Sequence, residues 1–335
     1  METRILTHDD VYRLLPMDDC IEVMAAALRA LARDEAVLPL RSMVWLPDHS
    51  GLLGLMPGYL GEPRSFGLKV VSIMPGNHGG GYDSHQGVVM LFGVEHGEPL
   101  AVMDAGSITA IRTAAVSGVA TRALARADAG DLAILGSGVQ AVSHLDAMRA
   151  VRPLRRVRVW SRTRANAEGF AAREAARTRL PVEAVESPRA AVEGADLVCT
   201  TTAAREPVLA GAWLAPGAHV NAVGACFKDA RELDAAAVAR ARLYVDRRES
   251  ALAEAGDFLL ARAEGAVGDA HIVGELGDLL LGRLPGRGGA DEVTLFESLG
   301  IAIEDLAAAH RVHARALATG TGVAVAFGGR RLAPA

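Results

Sequence analysis

The stretch Asp131-Leu-Ala-Ile-Leu-Gly-Ser-Gly-Val-Gln-Ala141 decides how the rest of the chain is read. Leu132 to Leu135 is a short apolar run, long enough for a buried strand. Gly136-Ser137-Gly138 then turns the chain, and Val139 to Met148 has the pattern of a helix. A strand, a glycine turn and a helix N-terminus together make an anion site. The glycines let the backbone approach a pyrophosphate, while the helix's unpaired N–H groups and dipole face its charge. Ala141 stands at the third position of the fingerprint, where a small residue lets helix and strand pack closely. A plain tight turn would carry the same glycines, but the flanking strand and helix favour a dinucleotide.

The next strand candidate is Val157-Arg-Val-Trp160, and the residue at its end normally selects the cofactor. An acid there binds the ribose 2′-hydroxyl of NAD, whereas a basic residue accommodates the 2′-phosphate of NADP. This chain has Ser161-Arg162-Thr163, with no acid at the strand end. Arg162 can pair with the phosphate, with two hydroxyls beside it. The alternative is an exposed arginine in a basic stretch, since Arg158 and Arg164 are close by. NADP(H) is favoured and NAD(H) remains open.

Strands continue to alternate with helices beyond this point. A helix is expected over Asn166 to Ala176 and an amphipathic segment at Pro188 to Val192. Strands are expected at Asp196 to Thr202, His219 to Gly224 and Arg242 to Asp246. This rhythm predicts a doubly wound parallel sheet with its ligand crevice at the carboxyl ends of the strands. Thr202, Val223 and Cys226 then fall beside the nicotinamide half of the cofactor. Val293-Thr-Leu-Phe-Glu-Ser298 reads as the opening of a long helix, Leu299 to Leu317, that crosses back to complete the first domain.

Ahead of the fingerprint the pattern is different. Thr7-His-Asp-Asp10 caps a short helix, and Cys20 to Arg33 repeats apolar residues at helical spacing. Arg41 to Leu46, Gly51 to Met56, Ser65 to Ile73, Gly87 to Val94 and Pro99 to Met103 read as strands of a largely antiparallel sheet. Three cations interrupt apolar surroundings. Arg41 starts a strand and has the geometry to hold a carboxylate bidentately. Lys69 lies within Phe66-Gly-Leu-Lys-Val-Val71; pointing inward it is desolvated and its pKa falls toward a useful range, pointing outward it is an ordinary strand lysine. Arg112 lies on a helix of small residues, where a charge implies an anionic partner. The loop Pro75 to Asp83 before Ser84-His85-Gln86 reads as a lid, a cofactor clamp or a hairpin tip. His78 and His85 have no carboxylate or cysteine at metal spacing, so no metal is expected.

The 335 residues suffice for two domains, half of them are hydrophobic, and the formal net charge is −5. That mild acidity and the scattered basic residues give no reason to expect nucleic acid. Cys20, Cys199 and Cys226 are far apart and suit a reducing compartment. There is no signal-peptide pattern and no apolar stretch near the roughly 20 residues of a membrane span, so a soluble cytoplasmic protein is expected.

The motifs jointly resemble the ornithine cyclodeaminase/mu-crystallin family, and its mu-crystallin and ketimine-reductase branch more than its cyclodeaminases. The segments that carry the resemblance are Gly54-Leu-Met-Pro-Gly-Tyr59, the Lys69 strand, Ser84-His-Gln86, Ile108 to Ser117, and Gly136 to His144. Further on come Trp160 to Thr163, Asn166-Ala-Glu168, Pro216 to Ala225, Arg231-Glu-Leu-Asp234 and Leu295 to Gly300. They cover nearly the whole chain. The resemblance implies a homodimer with a Rossmann domain at 116–304. It also implies an α+β substrate-binding and dimerisation domain built from both chain ends, 1–115 plus 305–335. It implies hydride transfer at the α-carbon of an amino acid or its imine.

By position, Arg41 and Lys69 would bind the substrate carboxylate, with Lys69 also poised for proton transfer. Arg112 would lie against cofactor or substrate, Cys226 beside the substrate and Ser84 beside the cofactor. Gly136, Ser137, Gly138, Val139, Gln140, Ser161, Arg162, Thr163, Asn166, Thr202, Val223 and Ser298 match nucleotide-contacting positions. Cyclodeaminases resemble this chain around Leu53 to Pro57 but carry a glutamate where Gly54 stands and an aspartate where Cys226 stands. Each such acid/base group typically contributes about 10²–10⁴ in rate. The expectation is therefore a reductase of cyclic ketimines or imino acids. The alternatives are a cyclodeaminase or alanine-type dehydrogenase, or an NADPH-dependent small-molecule binding protein.

Overall fold

The computed structural model describes residues 2–77 and 80–328, so His78 lies outside the described residues. The chain divides into two compact units, Met1–Arg112 with Ile301–Ala335, and Thr113–Gly300.

The first unit begins with a strand that the sequence reading had not anticipated, β1 (Glu2–Leu6), followed by helices α1 (His8–Leu14) and α2 (Met17–Leu31). Thr7 and Asp10 form a reciprocal capping box at the start of α1. Strands β2 (Ala36–Val37), β3 (Ser42–Trp45), β4 (Leu52–Leu60), β5 (Ser65–Ile73), β6 (His85–Phe92) and β7 (Pro99–Asp104) come next, and then helix α3 (Ala105–Leu124). The five expected strand segments all appear, with ends shifted by a few residues.

The second unit runs β8 (Asp131–Leu135), α4 (Val139–Val151), β9 (Arg156–Trp160), α5 (Arg164–Thr178), β10 (Val182–Ala184), α6 (Pro188–Val192), β11 (Leu197–Thr200), β12 (His219–Ala222), α7 (Ala235–Arg240), β13 (Arg242–Val245), α8 (Arg248–Glu254), α9 (Gly256–Ala263), β14 (Ile272–Glu275), α10 (Leu276–Leu280) and β15 (Thr294–Glu297). Its sheet has the order β10-β9-β8-β11-β12-β15-β13-β14, with every pairing parallel. The order reverses between β8 and β11, which makes that point the ligand crevice of a doubly wound sheet. Leu132, Ile134, Leu197, Val220, Leu243 and Leu295 are at most 1% exposed. Each such side chain contributes about 1.5–3 kcal/mol of burial.

One sequence reading is corrected here. Val293 to Ser298 does not open the long helix; Thr294–Glu297 is a fully buried strand between β12 and β13. A short apolar run buried on both faces has no alternation, so periodicity alone does not separate it from a helix start. Ile272–Glu275, also a strand of this sheet, was not anticipated either.

The chain returns to the first unit as helix α11 (Ala302–Thr319) and strand β16 (Val323–Ala326). The first sheet has the order β16-β1-β7-β6-β5-β4-β2, with β3 also on β4; only β1 and β7 pair in parallel. Helix α11 lies on its inner face. Two glycines let it approach: a Cβ on Gly58 would stand 3.2 Å from Ala302 Cβ, and one on Gly67 3.1 Å from Leu306 Cδ2. The unit boundaries, 112/113 and 300/301, differ from the expected 115/116 and 304/305 because the first turn of α11 belongs to this inner layer.

Candidate active site

Period-two alternation in β5 turns Phe66 outward and buries Ser65, Gly67 and Lys69. Lys69 sits between Met56 on β4 and Val89 on β6 and is 3% exposed. A lone ammonium there would be costly, so its surroundings decide its charge. Its Nζ stands 2.8 Å from Asp305 Oδ2 on α11, a contact of opposite charges and not an aligned hydrogen bond. It also donates to Thr109 Oγ1 on α3 at 3.4 Å. Burial pushes the Lys69 ammonium down, the Asp305 charge pulls it back up, and the charges of Arg112 and Arg41 press it down again. The result is about 8.

Arg112 on α3 is also 3% exposed, and the anion its position demanded comes from the protein itself. Its Nε donates to Asp305 Oδ1 and its Nη1 to Glu304 Oε2, both at 2.8 Å. Two of its nitrogens are thus committed to α11. Burial alone pushes the Asp305 carboxyl up, but Arg112 and Lys69 outweigh this and hold it below the usual carboxylate range. Arg41, half-buried just before β3, lies near enough to affect Lys69. The three predicted cations therefore share one locality. Ser84, just before β6, hydrogen-bonds to His85 Nδ1 at 3.0 Å.

Nothing in the sequence singles out Glu304 and Asp305, which the structure places in the first turn of α11, where acids are ordinary. A signal for Lys69 was present: of 35 lysines and arginines, only Lys69 and Lys228 are lysine. A chain that otherwise supplies positive charge as arginine, which stays protonated, keeps at Lys69 the cation that can release a proton.

In the second unit a cavity of about 540 Å³ opens at the crevice, lined by Gly136, Ser137, Gly138, Ser161, Arg162, Thr163, Asn166 and Thr202 among others. Gly136 has φ +116°, and a Cβ there would stand 2.6 Å from the Thr201 carbonyl, so only glycine fits. A Cβ on Gly138 would meet nothing within 4 Å. Gly138 is the N-cap of α4 and supplies no side-chain cap, and the first turn of the helix faces the crevice with the donor end of its dipole. These features fit a dinucleotide pyrophosphate.

Arg164 pairs with Glu168 and Glu186, and Arg173 with Glu174; among the described residues Arg162 has no carboxylate within ion-pair distance. At the other end of the crevice, the buried Glu232 accepts from Thr200 Oγ1, Thr202 N, Thr202 Oγ1 and Gly224 N at 2.6–2.7 Å. Burial nevertheless holds its carboxyl above the ordinary value. It ties the ends of β11 and β12 beside Thr202 and Val223. The sequence showed it only as part of Arg231-Glu-Leu-Asp234, without a role. Ser298 Oγ is buried with no hydrogen-bond partner among the described residues. Cys226 Sγ is turned to the Val223 carbonyl at 3.3 Å. Gly54, facing Val71 across β4 and β5, places no carboxylate.

The sequence model of the ornithine cyclodeaminase/mu-crystallin family matches residues 1–320. The chain belongs to that family. It is 44% identical over 275 residues to the ketimine reductase mu-crystallin of Mus musculus, covering 82% of this chain and 84% of that one. The solved structure of Thermococcus litoralis Δ1-pyrroline-2-carboxylate reductase in complex with NADH and L-proline superposes with a TM-score of 0.94. It has 38% identity and covers 96% of this chain and 100% of that one. An archaeal alanine dehydrogenase dimer with bound NAD follows, with TM-score 0.91 and 32% identity, covering 98% and 100%.

Arg112 provides a test of how this family member holds its charged cluster. Arg112→Gln removes the cation that two buried carboxylates share. The expected loss is about 3–5 kcal/mol of unfolding free energy, read from the urea midpoint at constant m. A loss below about 1 kcal/mol would show that the cluster is not held as described.

Proposed function

We propose that this protein is an NAD(P)H-dependent reductase of cyclic ketimines and imino acids of the pyrroline-2-carboxylate type, adding hydride to the α-carbon. The observation that carries this reading is the buried Lys69, balanced near pH 8 beside Arg41 and Asp305. It stands in a chain so similar to a reductase solved with NADH and L-proline. Arg41 anchors the substrate carboxylate through its planar fork. Lys69 gives a proton from Nζ to the imine nitrogen, and the iminium so formed accepts two electrons at carbon far more readily. A bound reduced nicotinamide supplies that hydride. The product is the ring secondary amine, and the neutral Lys69 regains its proton from solvent. Burial within the first sheet keeps bulk water from levelling the lysine's pKa.

The cofactor is NADP(H) in preference to NAD(H), because Arg162 stands at the strand end with no carboxylate among the described residues to neutralise it. Gly54 and Cys226 offer no acid where the cyclodeaminases are expected to have one, which argues against ring closure with loss of ammonia.

The working unit is a homodimer joined through the outer face of the first sheet. Cross-strand rows Leu55–Val70–Val88, Pro57–Leu68–Met90–Val102 and Tyr59–Phe66–Phe92 make a broad apolar surface on the side away from Lys69. Phe66 remains 46% exposed and Leu53 39%. Such contiguous surface is the mark of an interface.

The function is tested by following NADPH oxidation with pyrroline-2-carboxylate and piperideine-2-carboxylate. Because the donor form of Lys69 is the protonated one, the rate should be level below pH 7 and fall as pH rises through about 8. Lys69→Ala should lose about 10²–10⁴ of kcat. No turnover of any imine with NADPH bound would favour a binding protein, and full turnover by Lys69→Ala would remove the proposed mechanism. The assembly is tested by light scattering after chromatography: the wild type should elute as a dimer and Leu68→Asp as a monomer. A wild-type monomer would contradict the proposed interface.

A further inference from the structure

The geometry points to Asp305 as the positioning residue for the reaction: its forked carboxylate, fixed on one oxygen by Arg112, holds the Lys69 ammonium in place and keeps it charged until the imine takes its proton. This rests on the reductase reading above and assigns the proton donor its partner.

The two carboxylate oxygens of Asp305 face different cations. Oδ1 accepts from Arg112 Nε and Oδ2 faces Lys69 Nζ, each at 2.8 Å, while the Asp305 side chain itself is fully buried. The planar, always charged fork of Arg112 is shared between the two acids, Nε to Asp305 and Nη1 to Glu304, so Asp305 Oδ1 is held by one donated hydrogen bond. With Oδ1 held there, Oδ2 is the oxygen that faces Nζ. Helix α11 packs close to the sheet that carries Lys69, where Gly58 faces Ala302 and Gly67 faces Leu306. The groups facing Lys69 from each packed element are Asp305 on α11, Arg112 and Thr109 on α3, and Arg41 before β3. Asp305 is the one anion among them. Burial and two cations oppose the ammonium, and among the described residues Asp305 is the anion that supports it. Removing its charge therefore discharges Lys69 at neutral pH, while removing its shape does not.

That difference separates a positioning role from packing. Asp305→Asn keeps the shape and loses the charge; Asp305→Glu keeps the charge and lengthens the side chain. A residue that only fills space tolerates Asn better, and a residue that sets the charge of Lys69 tolerates Glu better. The readout exploits the fact that the chain has two lysines. In full-length protein grown with lysine labelled with carbon-13 at Cε, the spectrum holds two side-chain signals, and the exposed Lys228 serves as internal reference. The Lys69 midpoint should fall in Asp305→Asn by about 1–3 pH units, the effect of losing an adjacent opposite charge. It should stay within about half a unit of wild type in Asp305→Glu. The alkaline limb of kcat for imine reduction should move with it, while KM for the nucleotide stays unchanged.

An unmoved midpoint in Asp305→Asn, or a larger displacement in Asp305→Glu than in Asp305→Asn, overturns the assignment. Should Asp305→Asn not fold, Asp305→Glu decides alone: a midpoint displaced by more than one unit with the charge retained overturns it. The titration needs no turnover. A wild type that reduces no imine therefore sinks the reductase reading and leaves the coupling of Asp305 to Lys69 separately measured.

Discussion

A lysine at 3% exposure stays charged only if an anion stands against it, and the first unit is arranged around meeting that condition at Lys69. Asp305 supplies the charge, Arg112 supplies the second cation that makes a doubly acidic helix turn tolerable, and Glu304 offsets Arg112. Three elements remote in sequence, β5, α3 and α11, are thereby tied together by groups that would each be prohibitive alone. Replacing one member exposes the others to the full cost of burial, which is why such clusters are held as a unit. It also explains why the chain's two ends must fold together: the lysine comes from one and its carboxylate from the other.

The second unit solves a different problem with different means. It binds by backbone: a glycine at positive φ, an uncapped helix N-terminus and a cavity at the reversal of strand order. Charge enters mainly at the rim, where Arg162 has no carboxylate partner among the described residues while Arg164 is paired with glutamates. The buried Glu232 works inward instead, spending its lone pairs on Thr200, Thr202 and Gly224 to set the strand ends that border the crevice. In the proposed reaction one unit manages a proton and the other a nucleotide.

How much of this was legible follows from the range of the interactions. The fingerprint from Asp131 to Ala141 is local, with strand, turn and helix adjacent in sequence, and it announced the parallel sheet and its crevice. Lys69 and Arg112 were legible as charges out of place. Their partners were not, because Glu304 and Asp305 lie 192 and 193 residues beyond Arg112, and further still beyond Lys69, in a helix start where acids are ordinary. Thr294–Glu297 failed for another reason: a strand covered on both faces carries no alternation to read. Glu2–Leu6 and Ile272–Glu275 are short strands at or near sheet edges, where pairing rather than composition decides the conformation.

The central claim is that Lys69 acts through its proton and not merely through its charge. Chemical rescue of Lys69→Ala measures this directly, by adding small primary amines to the imine reduction. The account predicts that methylammonium restores turnover in proportion to its concentration, while tetramethylammonium, equally charged but without a proton to give, restores none. Equal rescue by both ions, or by neither, would contradict it.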